Sequence, residues 1–243
     1  MHLHSHHQTT TVVLVHGAFA DSSSWNGVIK KLKREGFPVV AVANPLRGLS
    51  SDAAYVKEVL AGIDGPVVLV GHSYGGSVIT NAAHDSDKVK ALVYVAAFLP
   101  EKGESANELA VKFPGSSLGE ALRPVPVTLP DGSQDVDLSI EQSKYHHQFA
   151  ADVPEHVADV MAVTQRPATA GALGEPSSEP AWRTIPSWSL VAGEDLNIPR
   201  ELQMFMAGRA GAQIHEVAAS HAVSVSHPEV VARLIEEAAR AVS

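Results

Sequence analysis

Short, wholly apolar runs alternate along this chain with segments whose apolar positions recur every three or four residues. Thr10 to Val15 (TTVVLV) is β-branched and apolar up to His16-Gly17, which predicts a strand buried on both faces. Asp21 and three serines then offer an N-cap, and Trp25 to Glu35 has helical spacing until Gly36 stops it. Phe37 to Val42 reads as a second strand. A helix capped by Ser51 or Asp52 is expected to run to about Ile63, and Gly65-Pro66 turns the chain into a third strand, Val67 to Val70. A helix over roughly Gly75 to His84 and a fourth strand over Lys90 to Ala96 follow.

The alternation resumes near the end, with strands at Ser187 to Ala192 and Gln213 to Val217 and a helix at Pro199 to Gly208 between them. Pro228 to Val242 closes the chain as an amphipathic helix, with Val230, Val231, Leu234, Ile235, Ala238 and Ala239 on one face. Strands that are continuous apolar runs, separated by helices, predict a mostly parallel sheet of about six strands covered on both faces. Phe98 to Pro186 breaks the pattern, holding ten of the fifteen prolines. It is too long for a structureless loop, so residues 98–186 are expected to form a cap inserted into a core of residues 10–97 and 187–243. Helical pieces are expected near Glu104 to Lys112, Ser139 to Ala150 and Pro154 to Thr164.

Composition narrows the function. The formal charge is −9 with no basic run, which disfavours nucleic acid as a partner. The chain has no cysteine, which excludes disulfides, thiolate metal sites and a cysteine nucleophile, and suits a cytoplasmic protein. The longest apolar run, Ala91 to Leu99, is about half a membrane span, and no signal-peptide pattern is visible. Neither a membrane nor a metal partner is expected. The histidines at positions 2, 4, 6 and 7 read as part of a disordered tail or tag over residues 1–9.

Candidate chemistry centres on Gly71-His72-Ser73-Tyr74-Gly75, a G-x-S-x-G pattern placed directly after a strand and before a helix. A tight strand-to-helix turn exposes the serine, and the new helix aims free N–H groups at developing negative charge. A serine needs a base, and the base needs an orienting acid, from the ends of later strands. Asp195 follows the strand at Ser187 to Ala192, and His221 follows the last strand. Glu194 is a second candidate acid, and Asp195 also reads as a helix N-cap. The other histidines fall elsewhere: His215 inside a strand, His227 at the start of the last helix, His84 at a helix end, His146 and His147 in the cap. The tetrahedral oxyanion needs two N–H donors, assigned to Tyr74 after the nucleophile and Ala18 in the first loop, with His16 bracing that loop. Phe19, Trp25, Tyr145, His146 and Phe149 are candidates to line an apolar pocket, each with core packing as the alternative.

VVLVHGAFADSSSW, VVLVGHSYGG, SLVAGEDLNIP and SHAVSVSHPE together resemble the α/β-hydrolase superfamily in order and over nearly the whole chain. The short start and the HGAF…W pattern are similar to the plant methylesterase and hydroxynitrile-lyase branch and to small bacterial esterases. That resemblance implies the α/β-hydrolase fold, no cofactor, and cleavage of a small-molecule ester through an acyl-enzyme. The lyases have threonine where this chain has Gly17 and lysine where it has Ala222, which favours ester hydrolysis. An aspartate nucleophile, as in epoxide hydrolases, is ruled against by Ser73. A lyase or carbon–carbon bond hydrolase using the same residues, and a ligand receptor on this fold, stand as alternatives. Either a monomer or a homodimer is expected.

Overall fold

The computed structural model describes residues 9–243, so the histidine tract lies outside the described residues. In chain order the first part comprises β1 (Thr11–Val15), α1 (Asn26–Arg34), β2 (Val39–Val42), α2 (Leu49–Ala61), β3 (Val67–His72), α3 (Tyr74–Ala82) and β4 (Val89–Val95). The middle segment holds α4 (Ala106–Ala110), α5 (Leu118–Ala121), β5 (Leu122–Thr128), β6 (Gln134–Ile140), α6 (Gln142–Phe149), α7 (Glu155–Thr164), β7 (Ala168–Thr169) and α8 (Ala170–Gly174). The chain then returns through β8 (Ser187–Ala192), α9 (Arg200–Arg209), β9 (Gln213–Val217), α10 (Val223–Ser226) and α11 (Pro228–Val242).

Six strands form one sheet in the order β2-β1-β3-β4-β8-β9, and every neighbouring pair is parallel. Alternation along the strands splits the core into two layers. Val13, Val15, Leu69, Leu92 and Tyr94 pack toward α2, α3 and α9, while Val12, Leu14, Val68, Val70 and Val93 pack toward α1 and α11. Both layers are apolar around the central β1 and β3, which is why those two strands carry no polar alternation in the sequence. The amphipathic α11 matches its expected bounds and buries Val231, Leu234, Ile235, Ala238 and Ala239. Among the described residues, no helix is long and apolar enough to cross a membrane.

Three sequence expectations need correction. The second strand starts at Val39, after Pro38, which cannot donate a ladder hydrogen bond. The second helix starts at Leu49 rather than after a Ser51 or Asp52 cap; its first N–H groups, on Leu49 and Ser50, donate to the Glu175 carboxylate instead. The middle segment is not purely helical. β5 and β6 form an antiparallel hairpin, with β7 beside β6, so Ser139 and Ile140 belong to a strand and α6 begins only at Gln142.

The middle segment reaches the carboxyl ends of the sheet strands and is tied there by Arg47. Its guanidinium donates to Asp137 Oδ1 at 2.6 Å and to the Pro167 carbonyl at 2.9 Å. Thr169 completes the seam, its N–H donating to the Leu46 carbonyl and its hydroxyl to the Arg47 carbonyl.

Candidate active site

Ser73 sits between β3 and α3 with φ 56° and ψ −125°. A non-glycine residue held there costs about 1–3 kcal/mol, so the surroundings must impose it. They do: the Ser73 carbonyl accepts from Gly76 N at 2.9 Å and Phe98 N at 3.1 Å. Only glycine fits two positions later, because a Cβ on Gly75 would lie 2.3 Å from the Val15 carbonyl oxygen. The crowding presses the turn against β1 and turns the serine toward the strand ends.

Asp195 and His221 meet in the interior, their side chains wholly shielded from solvent. Asp195 Oδ2 accepts from His221 Nδ1 at 2.6 Å and from Gln203 Nε2 at 3.1 Å. Asp195 Oδ1 accepts from the N–H groups of Asn197 at 2.8 Å and Ile198 at 2.9 Å. One Asp195 oxygen closes the turn ahead of α9 and the other holds the imidazole; the helix cap itself is Pro199, so Asp195 is not the N-cap that the sequence offered as its alternative role. Glu194 is exposed and points to no such partner. With its Nδ1 proton committed to the carboxylate, His221 presents a lone pair at Nε2, which is buried and has no hydrogen-bond partner among the described residues. No hydrogen bond joins Nε2 to the Ser73 hydroxyl in this state. Contacts of this kind commonly tighten only when substrate is bound.

The histidine loop is held from three sides. His72 Nε2 donates to the His221 carbonyl at 2.7 Å, and the two rings lie 4.6 Å apart. Burial, followed by the nearby His221, pushes the pKa of His72 well below the usual histidine range, so His72 is neutral and acts as a donor. Asp152 accepts from both the N–H and the hydroxyl of Ser220, and the Phe149 carbonyl accepts from Ala222 N at 3.0 Å.

The first loop lies against the nucleophile turn. A Cβ on Gly17 would be 2.8 Å from Ser73 Cβ and 3.1 Å from Tyr74 N, so Ala18 follows directly on this contact. His16 braces the loop as expected from sequence: its Nδ1 donates to the Gly17 carbonyl and its Nε2 accepts from Asn44 N at 3.0 Å. Tyr74 is anchored at its far end, its hydroxyl donating to the buried Asp52 Oδ2 at 2.7 Å. Burial raises the Asp52 pKa, partly offset by that hydroxyl and by the Arg47 N–H.

The five candidate pocket residues divide. Phe149 packs edge-on against the His221 ring at 4.9 Å, and Tyr145 stacks on Phe149 at 4.9 Å. Phe19 adjoins them with φ 65°, a second strained residue at the same site. Trp25 is different: it is fully buried in the layer beneath the sheet with Val28, Leu32 and Val70, so it is core rather than pocket wall. His146 is committed to the Val153 carbonyl at 2.7 Å inside the middle segment and does not join the others. A cavity of about 360 Å³ opens beside the first loop, walled by Ala20, Tyr145, Val157, Val160, Met161 and Val225, with Asp21 and Ser24 at its polar edge.

Sequence reasoning missed Asp52, Asp152, Gln203 and the positioning role of His72. None carries a local signal: Gln203 lies in a helix that also holds Arg200, Glu201 and Arg209.

A parallel sheet carrying a strained serine after its third strand and an acid–histidine pair after its last two defines a hydrolase of the α/β type. The model of the Alpha/beta hydrolase family matches residues 12–234, and the chain belongs to that family. It is 27% identical over 254 residues to the alpha/beta hydrolase nvfD of Aspergillus novofumigatus, covering 94% of this chain and 96% of that one. It is 28% identical over 255 residues to the pyrethroid hydrolase of Sphingobium wenxiniae, covering 96% and 88%. Its fold is similar to the crystal structure of polyneuridine aldehyde esterase, with a TM-score of 0.81 over 95% of this chain and 99% of that one, at 20% identity.

Proposed function

We propose that this protein is a serine esterase that cleaves a small to medium carboxylic ester with a hydrophobic acyl or alcohol part. The observation that carries the reading is the buried Asp195–His221 pair, with its imidazole Nε2 left unpartnered at the strand ends where Ser73 is held in a strained turn. His221 Nε2 takes the Ser73 proton as Oγ attacks the ester carbonyl. The N–H groups of Ala18 and Tyr74 hold the resulting oxyanion, each donor contributing roughly 3 kcal/mol in comparable sites. The oxyanion collapses to the acyl-enzyme while His221 passes its proton to the departing alkoxide. Water, deprotonated by the same nitrogen, then attacks the acyl carbon, and Ser73 leaves with its proton restored.

Phe149, edge-on to the His221 ring, supports an apolar surrounding for the reacting group, and the relative named as a pyrethroid hydrolase agrees with the reaction class. Assays of p-nitrophenyl acetate, butyrate and octanoate with wild type and Ser73→Ala test the reading. A kcat more than about 10³-fold lower in the variant is expected. Equal turnover by the two proteins would remove Ser73 as the nucleophile.

A further inference from the structure

Phe19 is held in the left-handed region although it is not glycine, and the hydrogen bonds its backbone makes among the described residues go to the middle segment. Its N–H donates to the Arg166 carbonyl at 3.0 Å, and its carbonyl accepts from the Tyr145 hydroxyl at 2.6 Å. Ala20, the next residue, pairs with Arg166 in an antiparallel bridge. All of these partners belong to the middle segment. They hold the two peptide groups on either side of Phe19, the first of them joined to Ala18, whose N–H is assigned above to the oxyanion.

Tyr145 is wholly buried, and its ring stacks on Phe149 at an interplanar angle of 21°. Stacking alone would be served by phenylalanine. The hydroxyl is a polar group carried into the interior, where it needs a partner, and the partner it meets is the carbonyl of the strained residue. We propose that Tyr145 is a positioning residue for the oxyanion hole: through the Phe19 carbonyl, its hydroxyl sets the loop that aims the Ala18 N–H. The hole is then complete only while α6 is seated on the first loop. The same helix holds the histidine loop through the Phe149 carbonyl, so one element registers both halves of the site. This inference rests on the esterase reading, and it moves Tyr145 from a substrate contact to a support.

Tyr145→Phe removes one oxygen and keeps the stacked ring. With p-nitrophenyl butyrate, kcat should fall about tenfold while KM changes less than about twofold, because the lost interaction acts in the transition state alone. Inhibition by an aryl trifluoromethyl ketone, which places an oxyanion in the hole, should weaken by the same factor. Amide hydrogen exchange over residues 17–22 should speed up with no ligand present. An unchanged kcat, or a raised KM at constant kcat, overturns the inference, as does unaltered exchange over 17–22. Wild-type protein with no Ser73-dependent turnover would instead defeat the esterase reading, and the exchange result would still decide whether Tyr145 fixes the loop.

Discussion

Replacing Gly17 with alanine adds a single methyl group at the joint between the first loop and the nucleophile turn. The new Cβ would lie 2.7 Å from the His72 carbonyl oxygen, 2.8 Å from Ser73 Cβ and 3.1 Å from Tyr74 N. Ordinary contact begins at 3.4 Å, so the tightest approach must open by about 0.7 Å. None of the three atoms is the end of a flexible side chain. They belong to β3 and the start of α3, packed between neighbouring strands, so the loop carrying Ala18 must retreat. Catalytic donors tolerate only about 0.5 Å of misplacement, which puts the Ala18 N–H out of range of the oxyanion. Losing one such donor costs about 10²–10³ in kcat, or roughly 2.7–4 kcal/mol of barrier. The overpacking itself should cost about 1–3 kcal/mol of stability, lowering Tm by roughly 2–12 °C in a chain of this size. Steady-state kinetics with p-nitrophenyl butyrate and a thermal melt on the same preparation separate the two effects. A variant with kcat within about twofold of wild type and a lowered Tm would refute the assignment of Ala18 as donor, because the contact would have been relieved without consequence for the chemistry.

Two further outcomes follow from the buried histidines and the acid. In Asp195→Asn the amide oxygen should take the place of Oδ1, where Asn197 and Ile198 donate, which turns the NH2 toward His221 Nδ1 and drives the ring proton to Nε2. A fall in kcat of about 10³–10⁴ at little cost in Tm is expected, and kinetics within tenfold of wild type would contradict it. His72 and His16 both have folded-state pKa values below the unfolded value, mainly through burial. The unfolded chain therefore takes up protons that the folded chain refuses, so their stability contribution is present above about pH 6.5 and is lost as pH falls from there through the folded pKa. His72→Asn, which keeps a donor, should flatten that decline by up to about 1.4 kcal/mol per pH unit in urea titrations between pH 5 and 8, and an identical slope in the variant would rule out His72 as its source.

Most of the sheet was legible because buried parallel strands are apolar; Ser73 and Asp195 lie just after such runs, whereas the candidate base His221 follows the exposed edge strand β9 (QIHEV) and is marked only by its place after the last strand. Val67 to Val70 and Ser187 to Ala192 needed no tertiary information. The β5–β6 hairpin was missed although its signals are present: Asp131-Gly132 at the turn, and Val125, Val127, Val136 and Leu138 in alternation. Pro124 and Pro126 obscured it, since proline argues against a strand in general. The strand order β5-β6-β7 explains why they are tolerated, because β5 lies at the sheet's edge, where a missing N–H has no ladder partner to disappoint. Asp52 and Asp152 were illegible for another reason. Their partners, Tyr74 and Ser220, lie 22 and 68 residues away, and nothing local distinguishes them from surface carboxylates. Trp25 looked like pocket wall because it follows the first loop, but the turn at Ser22–Trp25 carries its ring under the sheet.

The two strained residues of the site are held by different parts of the molecule, and this divides the energetics of the proposed chemistry. Ser73 is fixed by Gly76 and the contact of Gly75 with β1, within the sheet domain, and by Phe98 at the very start of the inserted segment, close behind β4. The Phe19 backbone is held by hydrogen bonds with Tyr145 and Arg166 of the middle segment, which shares an apolar layer with the sheet domain and is tied to it by polar seams such as Arg47 with Asp137 and Pro167. Movement of the middle segment would therefore release the first loop while leaving the Ser73 turn unchanged. On the proposed reading the nucleophile turn is preformed, whereas the donor assigned to Ala18 depends on the seating of α6, and Gly17 packs against the turn directly before Ala18.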